Sequence, residues 1–148
     1  MGYRQFHRPV LVGYSSGATL AYTTLVQAPV GTFLGAVSLG FCPDLMLHKP
    51  MCKGAGLSYK VDPELGQVFD PVTRLADPWV VLHGDQDQVC APAATAAYVG
   101  KVAGGTWSAF PGWATVSPCR ATGCLSSRPR SRPSRSHCPQ WLSGRRKR

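Results

Sequence analysis

Pro9-Val-Leu-Val-Gly-Tyr-Ser-Ser-Gly-Ala-Thr-Leu-Ala-Tyr22 decides how the chain is read. Val10-Leu11-Val12 is a short apolar run that suits a buried strand. Gly13-Tyr14-Ser15-Ser16-Gly17 then reads G-x-S-x-G. Residues 18–27 follow with good helix formers and apolar positions at Leu20, Ala21, Thr24 and Leu25. Strand, G-x-S-x-G and helix, in that order, is the context of a nucleophile elbow. Such a turn holds its serine in a strained backbone conformation with the hydroxyl above the sheet edge, which makes Ser15 the candidate nucleophile. Gly13 and Gly17 are expected to be small because strand and helix cross closely there. The Ser16 amide, at the positive end of the helix, is the candidate oxyanion donor. A phosphate-binding turn fits less well, since neither G-x-G-x-x-G nor a Lys-Ser/Thr pair is present there.

Working outward, the helix is expected to run to about Ala28, where Pro29 stops it. Thr32 to Leu39 reads as a second buried strand, which completes a βαβ crossover. Gly40 to Asp77 is rich in Pro and Gly with no strong periodicity, and suits a region where pockets and lids are built. Pro78 to His83 reads as a third strand, Gly84 to Val89 as a loop, Ala91 to Val102 as a helix with Pro92 in its first turn, and Thr106 to Phe110 as a last strand. The fold expected is α/β: a partial α/β-hydrolase domain over residues 1–110, with a parallel sheet of about three to four strands and flanking helices.

From residue 111 onward Ser, Arg, Pro, Cys, Trp and Gly dominate and no acid occurs. This stretch, 111–148, is expected to be a disordered basic tail. The charge divides the same way. Up to residue 117 the bases Arg4, Arg8, Lys49, Lys53, Lys60, Arg74 and Lys101 balance Asp44, Asp62, Glu64, Asp70, Asp77, Asp85 and Asp87. The net charge of +9 therefore belongs to the tail and does not mark a nucleic-acid-binding body. Anion binding by the tail, to nucleic acid or acidic lipid, is the alternative function; without regular aromatic interleaving it would be non-specific and sensitive to salt.

The six cysteines show no C-x-x-C and no zinc spacing, so no metal site is expected, and no cofactor motif is present. Cys42 and Cys52 are candidates for a disulfide in an oxidising compartment, with two separate thiols as the open alternative. Pairing of Cys42 with Cys90 stays open as well. No signal peptide is read at the amino end, where Arg4 and Arg8 precede only a short interrupted apolar run, and no stretch is long enough to cross a membrane.

His83-Gly84-Asp85-Gln86-Asp87 falls just past a buried strand, where open parallel sheets collect catalytic groups. A carboxylate there holds and charges a catalytic imidazole. Asp87 is the candidate acid and Asp85 the second choice; the competing reading is a solvated turn capping the next helix. The order Ser then Asp then His is that of α/β hydrolases. His83 precedes the acid and is read as structural.

With Val12-Gly-Tyr-Ser-Ser-Gly-Ala18, Val37-Ser-Leu-Gly-Phe-Cys-Pro-Asp44, Lys49-Pro-Met-Cys52 and Trp79-Val-Val-Leu-His-Gly-Asp-Gln-Asp-Gln-Val-Cys90 in view, the body resembles the VirJ/AcvB-type bacterial virulence-factor family of α/β hydrolases. The resemblance implies Ser15 as nucleophile, Asp87 as triad acid, and Cys42, Cys52 and Cys90 as extracytoplasmic cysteines. It also implies a periplasmic parent enzyme acting on a small-molecule or lipid ester, with hydrolysis of an aminoacylated phospholipid ester as the associated activity.

The chain departs from that pattern in three places. Family members carry an export signal and several strands before the elbow, and one of those earlier loops gives the second oxyanion donor. They also place a catalytic His after the last strand in a Val-Gly-His-Gly-Phe type motif, where this chain has Gly112-Trp-Ala-Thr-Val-Ser117. Codons for that segment can be written GGG TGG GCC ACG GTT TC. Without the first two bases the string reads GTG GGC CAC GGT TTC, which encodes Val-Gly-His-Gly-Phe. The expectation is a frameshift just before Gly112, an out-of-frame tail, a catalytic His lost near position 115, and an inactive chain. The remaining downstream imidazole, His137, lies in the unpatterned tail.

Overall fold

The computed structural model describes residues 8–49, 51, 54 and 56–114. Its elements run β1 (Val10–Tyr14), α1 (Ser16–Gln27), β2 (Gly35–Leu39), β3 (Asp44–Leu45), β4 (Tyr59–Asp62), β5 (Gly66–Phe69), β6 (Arg74–Gly84), α2 (Pro92–Val99) and β7 (Ala103–Phe110). Two sheets result. The larger is four-stranded in the order β1-β2-β6-β7, and every pairing in it is parallel. The α/β class and the expected three to four parallel strands are therefore present. The tail assigned to residues 111–148 lies outside the described residues from position 115 onward.

Helix α1 buries Ala18, Ala21, Tyr22 and Leu25, one face at helical spacing. The expected face differs in one place: Leu20 turns to solvent, because Ala18 and Tyr22 hold the direction of the sheet. Both helices pack on the same side of the sheet. Tyr22 of α1, Tyr98 of α2, Phe41 and Trp79 of β6 form one aromatic cluster; Trp79 lies 4.4 Å from the Tyr22 ring and 5.0 Å from Phe41. Two polar atoms in this core pair with each other and with α1. Trp79 Nε1 donates to Ser38 Oγ at 3.0 Å, and Ser38 Oγ donates to the Ala18 carbonyl at 2.9 Å. That chain ties β6, β2 and α1 together without an unpaired group.

Residues alternate across a strand, so the opposite face of the sheet carries Val10, Val12, Tyr14 and Phe110, all exposed. The amino ends of three strands are clamped by one ion pair. Arg8 Nη2 stands 2.8 Å from Asp77 Oδ1 and also donates to the Phe33 carbonyl, while Asp77 Oδ2 accepts from the Gly31 amide.

The second sheet corrects the reading of Gly40 to Asp77 as irregular. It is a small antiparallel unit in the order β3-β5-β4. Its hairpin is made by Asp62, whose Oδ1 accepts from the amides of Glu64 and Leu65, and by Gly66 at φ 83°. Leu45, Leu57 and Phe69 form its own small core. Strands of two to four residues are too short to show a period, which is why sequence pattern missed them. Other boundaries also move. β2 starts at Gly35 instead of Thr32, β6 reaches back to Arg74 with a register shift before Trp79, and α2 ends at Val99.

Candidate active site

Ser15 sits between the last residue of β1 and the first of α1. Its backbone has φ 53° and ψ −125°, and it is the one non-glycine residue with positive φ among the described residues. Such a conformation costs on the order of 1–3 kcal/mol and persists only where neighbours enforce it. Here they do. The Ser15 amide donates to the Leu39 carbonyl at 2.9 Å, which extends the β1–β2 ladder by one residue. Its carbonyl accepts from the Ala18 amide at 2.7 Å, which starts the helix. Strand and helix thus each fix one side of the same residue.

Gly13 makes the reversal possible. A Cβ there would collide with the Gly17 carbonyl. Gly17 itself does not need to be glycine for space, since a Cβ on it would meet nothing within 4 Å. The expectation of two tight glycines is therefore corrected to one: the strand presses on the helix backbone at Gly17, and the Gly17 side-chain direction is open.

Ser16 opens α1 and is exposed. Amides of the first helical turn have no partner within the helix, and no acidic side chain occupies the first turn. The positive end of the helix dipole is unopposed by its own sequence. Ser15, Ser16 and Thr19 line a cavity of about 230 Å³. Its far wall comes from the antiparallel sheet, with Asp44 and Leu45 on β3, Met46 just after it, and Glu64 and Leu65 at the hairpin; Cys42 and Val89 close it. Burial pushes the Asp44 carboxyl above its usual range, partly offset by a backbone amide hydrogen bond.

The acid turn follows β6. Asp87 is 5% exposed, and its Oδ1 accepts from the amides of Val89 at 2.8 Å and Cys90 at 3.0 Å. Its Oδ2 accepts no hydrogen bond and stands 3.4 Å from His83 Nε2. The His83 ring is buried on the helix side of the sheet, with Nε2 2.9 Å from the Cys90 carbonyl. A carbonyl only accepts, so Nε2 is the donor in this contact, and Nδ1 has no partner. Asp85 is placed differently. It is exposed, and its Oδ1 accepts from Gly112 at 2.8 Å, which secures the chain leaving β7. The Gln86 amide donates to the Trp113 carbonyl at 3.0 Å in the same crossing. The structure brings Ser15 and the acid turn to one cavity through Val89, two residues past Asp87.

Cys42 pairs with Cys90, with Cα atoms 5.5 Å apart. This replaces the candidate Cys42–Cys52 bridge; Cys52 lies outside the described residues. The reason is topological. β2 and β6 are parallel neighbours, so the residues just past their carboxyl ends meet, whereas nearness along a loop says nothing about where two side chains point.

A second cavity, about 280 Å³, lies at the carboxyl ends of the strands. Tyr14, Leu39, Leu82, Phe110 and Trp113 line it with almost no polar surface. Among the described residues no group of three or more His, Cys, Asp or Glu is placed to hold a metal ion, and no helix is long and apolar enough to cross a membrane. Sequence reasoning missed three features here: the His83–Asp87 contact, the Asp44 and Glu64 carboxylates at the serine cavity, and the crossing of the β7 exit over the acid turn. Only the first carried a signal, the four-residue spacing of His83 and Asp87 around a turn.

The site is thus a strained serine at a strand-to-helix turn of a parallel α/β sheet, facing a cavity that the buried acid turn also reaches. No family model matches the chain, and no curated protein matches it. Among solved structures the chain is similar to Est1E from Butyrivibrio proteoclasticus, at 14% identity and a TM-score of 0.43, over 70% of this chain and 51% of that one. This chain spans about half of that protein's length.

Proposed function

We propose that the chain is the remnant of a serine hydrolase of the ester-cleaving α/β type. Ser15 is the nucleophile, the Ser16 amide is an oxyanion donor and Asp87 is the acid that would orient an imidazole. The observation that carries this reading is the backbone of Ser15, held at φ 53° and ψ −125° between β1 and α1. A serine kept in so strained a conformation by strand, helix and Gly13 has a reason beyond turning the chain. Asp87 supports it. Two amides fix one carboxylate oxygen, and the other is left without a hydrogen bond.

In the parent reaction Ser15 Oγ attacks an ester carbonyl, the Ser16 amide stabilises the oxyanion, and an imidazole takes the serine proton and returns it to the leaving alcohol. No imidazole lines the Ser15 cavity among the described residues, and the His83 Nε2 proton is engaged by Cys90. A serine without a base is a weak nucleophile at neutral pH, so this chain is inactive or nearly so. The parent's base belongs near position 115, where the altered frame reads Val-Gly-His-Gly-Phe. Support for that placement is the path of the chain up to Ala114, which crosses the acid turn through Gly112 and Trp113.

The finer reading is a periplasmic parent of the VirJ/AcvB type acting on aminoacylated phospholipid esters. Its support, beyond the matching segments, is the charge of the serine cavity. Among the described residues Asp44 and Glu64 line it and no Lys or Arg does, which suits an ammonium group on the acyl side of the ester. Anion binding through the basic residues beyond 117 concerns residues outside the described ones, and no observation here favours it.

Labelling with a fluorophosphonate tests the proposal. This chain should label weakly, a chain with the Val-Gly-His-Gly-Phe frame restored should label strongly, and Ser15→Ala should abolish that labelling. Labelling of the unaltered chain equal to the restored one would refute the missing base, and labelling indifferent to Ser15→Ala would refute the nucleophile.

A further inference from the structure

We infer that the Cys42–Cys90 disulfide positions Asp87, so that the acid turn is ordered in the oxidised chain and released in the reduced one. The word acid rests on the function proposed above; the coupling itself rests on geometry alone.

Cys90 is a node with three attachments. Its amide donates to Asp87 Oδ1 at 3.0 Å, its carbonyl accepts from His83 Nε2 at 2.9 Å, and its sulfur is bonded to Cys42. Cys42 is anchored on the serine side. Its carbonyl accepts from Thr19 Oγ1 at 2.7 Å, one turn into the helix that Ser15 begins, and the preceding Phe41 carbonyl accepts from Thr95 Oγ1 of α2 at 3.2 Å. The path from nucleophile to acid is therefore Ser15, Thr19, Cys42, Cys90, Asp87, and the disulfide is its covalent link between segments distant in sequence. Two other holds act on the acid turn: His83 Nε2 on the Cys90 carbonyl, and at the other end Asp85 and Gln86 on Gly112 and Trp113. Nothing in that second hold reaches Val89 or Cys90, the residues whose amides fix the Asp87 carboxylate. Opening the disulfide would remove the covalent one of the two links that Cys90 makes to other parts of the chain, leaving the His83 bond, and so loosen the segment that orients the carboxylate.

A dithiol supplies the chemistry. Its thiolate attacks one sulfur of the bridge, the other cysteine leaves as a thiolate and is protonated, and the second dithiol sulfur closes the mixed disulfide to release the remaining cysteine. The dithiol loses two electrons and two protons, and Cys42 and Cys90 gain them as thiols. Cys42 lines the serine cavity, which gives a small dithiol its way in.

The experiment compares the oxidised full chain with the same chain under dithiothreitol in native buffer. Two readouts are taken: amide hydrogen exchange along the chain and the imidazole ¹⁵N shifts of His83. Expected on reduction is about tenfold or faster exchange at Val89 and Cys90 with α1 and the β1–β2 ladder unchanged. The His83 shifts should move from a single Nε2–H tautomer toward an averaged pair. A double variant, Cys42→Ala with Cys90→Ala, should give the same pattern without reductant and so exclude effects of the other four cysteines. Unchanged exchange and shifts at the acid turn overturn the inference. So does a uniform rise across the sheet, which would make the bridge a global staple only. Should the variant not fold, the reduction arm decides alone. Neither readout needs activity, so failure here is distinct from failure of fluorophosphonate labelling to track Ser15.

Discussion

The Ser15 turn and the Asp87 turn leave neighbouring regions of the same sheet, and each leads into a helix. They are held by different means. The Ser15 turn is fixed by backbone: a ladder bond to Leu39, a helix bond to Ala18, and the contact of Gly13 with the Gly17 carbonyl. All but one of these partners lie within six residues of each other in sequence. The Asp87 turn is fixed by side chains and distant segments: a carboxylate on two amides, a buried imidazole, a sulfur bridge to β2's exit, and the β7 exit crossing above. The first turn is set by residues 13–18 and one bond to β2. The second is an agreement among four separate parts of the chain.

The largest test of that contrast is Gly13→Ala. Its Cβ meets backbone that cannot step aside, so stability should fall by about 3 kcal/mol or more, read from urea midpoints. The same change at Gly17, four residues on, should leave stability level or raise it by at most about 1 kcal/mol, since the space is open and Ala favours helix. Asp87→Ala should come next. It strips the acceptor from the Val89 and Cys90 amides and should lower stability by about 2 kcal/mol. Ser15→Gly should move the other way, raising the midpoint by about 1 kcal/mol as the strain at φ 53° is relieved.

The smallest effect is in the acid limb of the stability profile. The folded pKa of Asp44 lies above 3.8 because burial disfavours its charge. Its contribution to stability is present below pH 3.8 and lost as pH rises through the folded value. Asp62 has the opposite sign. The amides of Leu65 and Glu64 lower its folded pKa, so its contribution is present above 3.8 and lost as pH falls through the folded value. Asp44→Asn should therefore flatten one arm and Asp62→Asn the other, measured by denaturant melts across the acid range.

What could be read from sequence followed the same divide. Ser15 and the β1–α1 turn were legible because strand, glycine, serine and helix are consecutive letters. The four parallel strands were legible because three carry apolar runs bounded by turn residues and the last, Thr106 to Phe110, alternates. Gly17 was misread because one glycine suffices where the motif shows two. The β3-β5-β4 sheet was hidden because its strands carry no period of usable length, and its turn depends on Asp62 bonding two amides. The Cys42–Cys90 pair was hidden because it follows from which strands are neighbours, a property of the whole sheet. The same holds for the Asp85–Gly112 contact, between residues brought together only by the pairing of β6 with β7.

The bare face of the large sheet has a consequence for the chain's life in a cell. Val10, Val12, Tyr14 and Phe110 are exposed there, and Tyr14 and Phe110 border the apolar hollow at Leu39 and Leu82. Such a surface is what quality-control machinery recognises in unfinished proteins, and here the folded residues display it. The chain's abundance would then be governed less by how firmly it folds than by how long chaperones and proteases tolerate it once folded. Turnover of the native chain should accordingly slow when Val12 or Tyr14 is made polar, even though neither change strengthens the core.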